Sequence, residues 1–270
     1  MKKLFVMAVM LLTAMTGFAQ EKDVLCVAKF TYVGGNEVVA NSLRNEIIQG
    51  IVKKDRLEVV DISTQNLPSN KNEALKALNE KGFQYLLEGK LNTILTGKSS
   101  DNKYYTAEIN YTLTVTEVAT GLTKASNTYK DTWHSGDSKD EAILKAISEA
   151  RKRMDKFVDD NFKVEASIKA LDQIDEKKNA AKSCYITTGS AEGVSKGQIF
   201  EVFAQMEIAG EMIDKKIGEL KAREVMSGTL TLCDVKNGGD AIKRNFEQKI
   251  QMKVRTRATK DTFGLRSMFK

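Results

Sequence analysis

Gly189, Gly193 and Gly197 with Lys196 crowd into nine residues, a composition that could cradle a phosphate. A Walker A loop requires glycine, four residues, then Gly-Lys-Ser/Thr opening a helix. Counted from Gly189, the position requiring glycine holds Val194, and Lys196 is followed by Gly197. The run then continues Gln198-Ile199-Phe200-Glu201-Val202-Phe203, alternating as a strand. A phosphate site of this type works because a helix N-terminus aims N–H groups and a dipole at the anion. A strand offers neither, so these glycines are predicted to turn the chain.

Other reactive residues are dispersed. His134 is the single histidine, so a multi-histidine metal site and a Ser-His-Asp triad both lack parts; beside Trp133 it reads as a surface turn residue. Asp159 and Asp160 are neighbours on a predicted helix and diverge. Asp172, Asp175 and Glu176 flank a hairpin without the spacing of a calcium loop. The expectation is therefore no catalytic, cofactor-binding or metal-ligating residues, and no enzymatic activity. Cys26, Cys184 and Cys233 all fall in apolar, strand-like stretches without a CxxC pair. They read as buried thiols, with a Cys184–Cys233 disulfide as the alternative in an oxidising compartment.

Charge is uneven along the chain. The formal net charge is +6, and +4 without Lys2 and Lys3; residues 241–270 carry nine Lys/Arg against Glu247 and Asp261, a balance of +7, which leaves −3 for the rest. Lys249, Lys253, Arg255 and Arg257 lie mostly on the polar side of a predicted strand over 249–256 and are the candidate partner-binding residues. An anionic envelope polymer fits them better than nucleic acid, for which stacking aromatics are missing on that face.

The elements that would position these residues follow from pattern. Lys2 and Lys3, the apolar run Leu4 to Leu12 and the small residues Gly17 and Ala19 predict a secretory signal peptide over 1–19. No lipidation cysteine sits at the cut, and the mature chain is expected to have no transmembrane segment. With 41% hydrophobic residues it can bury real cores. A strand over 24–30 leads to a helix capped by Asn36, with Val39, Leu43, Ile47 and Ile51 on one face. A second strand over 57–62 and a short helix opened by Asn70 and Glu73 predict a parallel α/β unit. A three-stranded meander over 85–133 follows, its middle strand alternating Ala107, Ile109, Tyr111, Leu113 and Val115 with polar residues. A helix over 138–161 carries Ile143, Ile147, Ala150, Met154 and Phe157 along one face. Six short strands over 164–256, separated by glycine- and charge-bearing turns, predict a small β-barrel.

Two stretches resemble known families. Gly189…Gly193-Val194…Gly197-Gln198-Ile199-Phe200, then Gly210-Glu211…Ile217-Gly218-Glu219-Leu220 and Cys233…Asn237-Gly238-Gly239-Asp240 resemble the C-terminal β-barrel domain of the flagellar accessory protein FlgT, found in many Bacteroidetes envelope proteins. Residues 23–162, from "VLCVAKFTYVGGNEVVANSLRNEIIQGIVKKDRLEVVD" through Gly82–Gly89 and Val118-Ala119-Thr120-Gly121, resemble the α/β domain shared by CsgG, the TolB N-terminal domain and LpoB. The resemblance implies an α+β protein: an N-terminal α/β sandwich with a mixed sheet over 20–162, a small C-terminal β-barrel over 163–257 and a basic tail over 258–270. It carries no functional residues across, because such families share a scaffold and not a motif.

Together these readings predict a non-enzymatic periplasmic adaptor or assembly protein, peripheral to the outer membrane and without a cofactor. Its expected partners are envelope proteins, peptidoglycan or other anionic envelope polymers, or further copies of itself. A subunit of a CsgG-like secretion oligomer is the first alternative and a small-ligand-binding protein the second. Lipidation and membrane hairpins would mark the first alternative, and the sequence supplies neither.

Overall fold

The structure, a computed structural model, describes residues 22–33, 36–131, 133–208 and 210–257. The predicted leader and the basic tail lie outside the described residues.

The first part runs β1 (Val24–Val27), β2 (Thr31–Tyr32), α1 (Glu37–Lys53), β3 (Glu58–Asp61), α2 (Lys71–Glu80), β4 (Tyr85–Lys98), β5 (Tyr105–Glu117), β6 (Thr123–Lys130), β7 (His134–Gly136) and α3 (Lys139–Asn161). Its sheet has the order β3-β1-β4-β5-β6, with β2 beside β4 and β7 beside β5. β1 is parallel to β3 and β4, while β4, β5 and β6 form an antiparallel meander. The apolar face of β5 is fully buried at Ala107, Ile109, Tyr111, Leu113 and Val115. Against it lie α1, through Leu43, Ile47 and Ile51, and α3, through Ala146, Ala150, Met154 and Phe157. Each such large side chain contributes about 1.5–3 kcal/mol on burial. The seam of α3 therefore packs within its own chain, close against α1 at Gly50, where a Cβ would stand 2.6 Å from the Arg151 carbonyl oxygen. On the opposite face α2 covers one end of the sheet with Leu75 and Leu78 on Cys26, Leu86 and Val118.

The predicted caps start these helices. Asn36 Oδ1 accepts from Val39 N at 3.0 Å, and Asn70 Oδ1 accepts from Asn72 N at 2.9 Å. Ser138 Oγ accepts from Glu141 N at 3.2 Å, while Glu141 reaches back to Asp137 N at 2.8 Å. Each satisfies donors that the helix itself leaves unpaired.

The second part runs β8 (Glu165–Ala166), β9 (Ile168–Asp175), β10 (Ala180–Ile186), β11 (Ile199–Ile208), β12 (Glu211–Val225), β13 (Thr231–Asn237), α4 (Gly239–Glu247) and β14 (Met252–Thr256). Its antiparallel sheet, β8-β14-β11-β12-β13-β10-β9, curls as a half-barrel. The two end strands, β8 and β9, are consecutive segments of one run of chain, interrupted at Ser167. The core inside the curl is Cys184, Ile186, Phe200, Val202, Leu220, Cys233, Ile242 and Val254.

Three sequence expectations are corrected here. Residues 239–247 form a helix, not a turn, and Ile242 and Phe246, one turn apart, point its apolar stripe at the curl. The last strand begins at Met252, and Lys249 lies in the connection with φ 55°. The polar face of β5 is also less open than alternation implies: Glu108 and Thr116 are buried there.

Candidate functional site

The glycine stretch does turn the chain, but it also seals the joint between the two parts. Residues Ser190–Glu192 form a single 3-10 turn ended by Gly193 with φ 65°. A Cβ on Gly193 would collide with the Lys54 carbonyl in the α1–β3 connection. Beside it Arg56, 7% exposed, reaches across the joint. Its Nη1 donates to the Phe162 carbonyl at 3.0 Å and pairs with Asp159 Oδ1 at 2.9 Å, and its Nε donates to the Glu192 carbonyl at 3.3 Å. Lys54 Nζ takes the other Asp159 oxygen at 3.0 Å. Asp160 turns away to Lys156, so the two adjacent carboxylates do diverge. Arg56 is the residue that sequence reading passed over; a lone arginine between a helix and a strand carries no pattern.

The four candidate basic residues are placed as follows. Lys253 Nζ lies 3.3 Å from Asp214; Arg255 pairs with Glu165 at 2.8 Å and Asp214 at 3.4 Å and stands over the Phe203 ring; Arg257 lies 3.4 Å from Glu219. Three of the four cations thus face carboxylates of their own sheet. Lys249 is separate from them, on the α4–β14 connection.

Cys184 and Cys233 stand directly opposite each other in the β10–β13 register. Both thiols are free and fully buried. Burial pushes the Cys184 thiol up to about 12 and raises that of Cys233 as well. Cys26 is buried in the first part and likewise pushed up to about 12. A thiol held protonated is a poor nucleophile.

His134 begins β7 and does not sit in a turn; its Nε2 is enclosed and lacks a hydrogen-bond partner among the described residues. Nearby, Asp131 is 1% exposed and pairs with Arg153, and burial raises its carboxyl above the usual range despite that cation. Tyr111 stacks on Tyr129 with centroids 5.1 Å apart, its own hydroxyl enclosed. Among the described residues no three His, Cys, Asp or Glu side chains gather to hold a metal. No described helix is long and apolar enough to cross a membrane.

The second prominent feature is an arm. β11 and β12 pair from Ile199↔Lys221 out to Ile208↔Glu211, whereas β14 accompanies β11 only as far as Ala204 and β13 accompanies β12 only from Glu219. Beyond Gln205, which still donates to the Gln251 carbonyl, the distal residues form a two-stranded ribbon whose outer edges pair with no other strand among the described residues. Met206, Met212 and Ile213 near its tip are 40%, 63% and 40% exposed.

No protein-family model matches the chain, and no curated protein matches it in sequence. Solved structures do. The chain is similar to the PelC dodecamer from Paraburkholderia phytofirmans, at 18% identity over 48% of this chain and 88% of that one, with a TM-score of 0.34. It is similar to a lipoprotein from Neisseria meningitidis at 7% identity, over 47% and 94%, with a TM-score of 0.36. It is also similar to the LpoB C-terminal domain from Escherichia coli at 13% identity, over 41% and 82%, with a TM-score of 0.30. These are likenesses of fold over half of the chain or less, and they carry nothing about activity or partners.

Proposed function

We propose that this protein is a non-enzymatic adaptor of the bacterial cell envelope that binds protein partners through the β11–β12 arm. The observation that carries the reading is the arm itself: a ribbon with two edges unpaired among the described residues and the apolar residues Met206, Met212 and Ile213 exposed beside its tip. Long exposed strand edges template pairing with another chain. Unbranched methionines adapt to irregular partner surfaces. The predicted leader supports an exported setting, and the two folded layers, 20–162 and 163–257 on this proposal, supply a rigid base for the arm. Lys249, Lys253, Arg255 and Arg257 have a supporting role at most, since three of them face carboxylates of their own sheet.

A photo-crosslinking residue placed at Met212 in cells tests this, with exposed Lys169 as the control position. A discrete adduct from Met212 and none from Lys169 is expected, and Met206→Asp with Ile213→Asp should abolish it. No adduct at Met212, or equal adducts at both positions, removes the arm as the binding element. Light scattering on the purified protein separates the rival: a defined ring-sized oligomer would assign the arm to self-assembly.

A further inference from the structure

The cleft between the two parts, a cavity of about 300 Å³, has no role in binding through the arm. Its walls come from both layers, with Arg56, Tyr85 and Lys124 on one side and Lys163 and Glu192 on the other, joined by Phe162. Clefts between layers are where small-molecule sites concentrate. The apolar part of the wall is the Tyr85–Phe162 pair, edge to face at 5.1 Å. Lys124 Nζ stands 5.0 Å from the Tyr85 centroid and 5.8 Å from that of Phe162.

Most of the charges around this wall are matched. Lys54 and Arg56 are matched by Asp159 and Glu192, Lys22 by Asp55, and Glu165 by Arg255. Lys124 stands over the rings, and Lys163 Nζ donates to the neutral Asp159 carbonyl at 2.9 Å, with the Asp160, Asp159 and Glu201 carboxylates acting on it as well. Asp23, engaged by Tyr85, and Glu117 also face the Tyr85 end of the wall. Two ammonium groups, Lys124 and Lys163, thus line the wall. Behind it Arg56 Nη2 is enclosed with no hydrogen-bond partner among the described residues, an arrangement that is rare unless something else satisfies the group.

We propose that this cleft binds a small aromatic monocarboxylate, its ring against Tyr85 and Phe162 and its carboxylate drawn to Lys124 and Lys163. The two ammonium groups offer charge-assisted hydrogen bonds to a carboxylate, and a flat ring matches the aromatic wall better than an inorganic anion does. Because both layers line the cleft, the ligand also ties them together.

Benzoate is the probe, titrated into the purified protein by calorimetry at fixed ionic strength, with a thermal melt alongside. Saturable binding and a rising melting temperature are expected, with benzyl alcohol weaker and benzylammonium inactive. Arg56→Ala risks the joint itself, so the decisive variants are Lys124→Gln and Lys163→Gln, each first checked to melt like the parent without ligand. Each should weaken benzoate binding about tenfold, while Lys169→Gln leaves it unchanged. Absence of saturable binding at millimolar benzoate, equal binding of benzyl alcohol, or binding that survives both lysine changes overturns the proposal. Since none of these readouts involves the arm, the outcome is independent of the adaptor reading.

Discussion

Asp61 at the end of β3 shows how one buried cation shapes a local balance. Burial alone would raise its carboxyl, but hydrogen bonds from the Arg44 guanidinium and from Ser63 outweigh it and hold the group at about 2, against 3.8 unperturbed. Such a depressed carboxyl adds stability that is complete above the unfolded value and is lost as pH falls through the folded one. The Asp61 side chain is 45% exposed, so solvent screening cuts the contribution to about 1 kcal/mol. Asp61→Asn should therefore lower unfolding free energy by about that amount near neutral pH and by almost nothing near pH 2. Urea titrations at the two pH values check it, and a pH-independent loss would mean the carboxylate acts through packing. Glycine gives a second test at this scale. Gly82 and Gly193 both have positive φ, 81° and 65°, but nothing lies within 4 Å of a Cβ on Gly82, whereas Gly193 abuts the Lys54 carbonyl. Gly82→Ala should cost about 1 kcal/mol for backbone strain alone. Gly193→Ala should cost visibly more, because it adds a collision at the joint, and equal losses in thermal melts would show that the joint yields freely.

At the scale of elements, the β10–β13 register sets Cys184 against Cys233. We propose a bridge across this pair in the exported, oxidised protein. Protein taken from an oxidising compartment should then carry one free thiol, Cys26, and its mass should fall by two hydrogens. Reduction should cost about 2–4 kcal/mol of stability in the parent and nothing in Cys233→Ala. Three free thiols in the native protein would leave the pair as packing. The same register explains what the sequence could and could not reveal. Strand pairing here follows from alternation: Ala107, Ile109, Tyr111, Leu113 and Val115 are legible as one face because a period of two has few other meanings. The caps at Asn36, Asn70 and Ser138 are equally local. α4 is not legible in this way, since its nine residues hold one apolar pair, Ile242 and Phe246, and sit between strands. The arm was hidden for another reason. Alternation identifies β11 and β12 but does not say where β14 and β13 stop accompanying them, which depends on how the whole sheet curls.

Across the whole molecule, the joint decides whether two layers behave as one body. Neither core reaches the other: Leu25 through Phe162 fill one cluster and Val164 through Val254 another. The coupling therefore rests on a few polar contacts around Arg56, whose guanidinium bonds the Phe162 and Glu192 carbonyls and the Asp159 carboxylate. Truncating it leaves the buried Phe162 carbonyl without this donor and Asp159 with Lys54 as its cationic partner, so the loss stays below the roughly 3–5 kcal/mol of a fully enclosed broken ion pair. Most of that loss falls on the contact between layers, because the two cores keep their own packing. Arg56→Ala should accordingly split one unfolding transition into two. The protein carries its own reporters for this. Trp133, the single tryptophan, belongs to the first layer, and reduced Cys184 and Cys233 lie in the second. In the parent, tryptophan fluorescence and exposure of these two thiols to a labelling reagent should follow the same denaturant curve. In Arg56→Ala the curves should separate, and the layer with the smaller core, the second, should open first. Coincident curves in the variant would place the coupling elsewhere in the joint, with Gly193 against the Lys54 carbonyl and Gln198 on Asp159 as the next contacts to break.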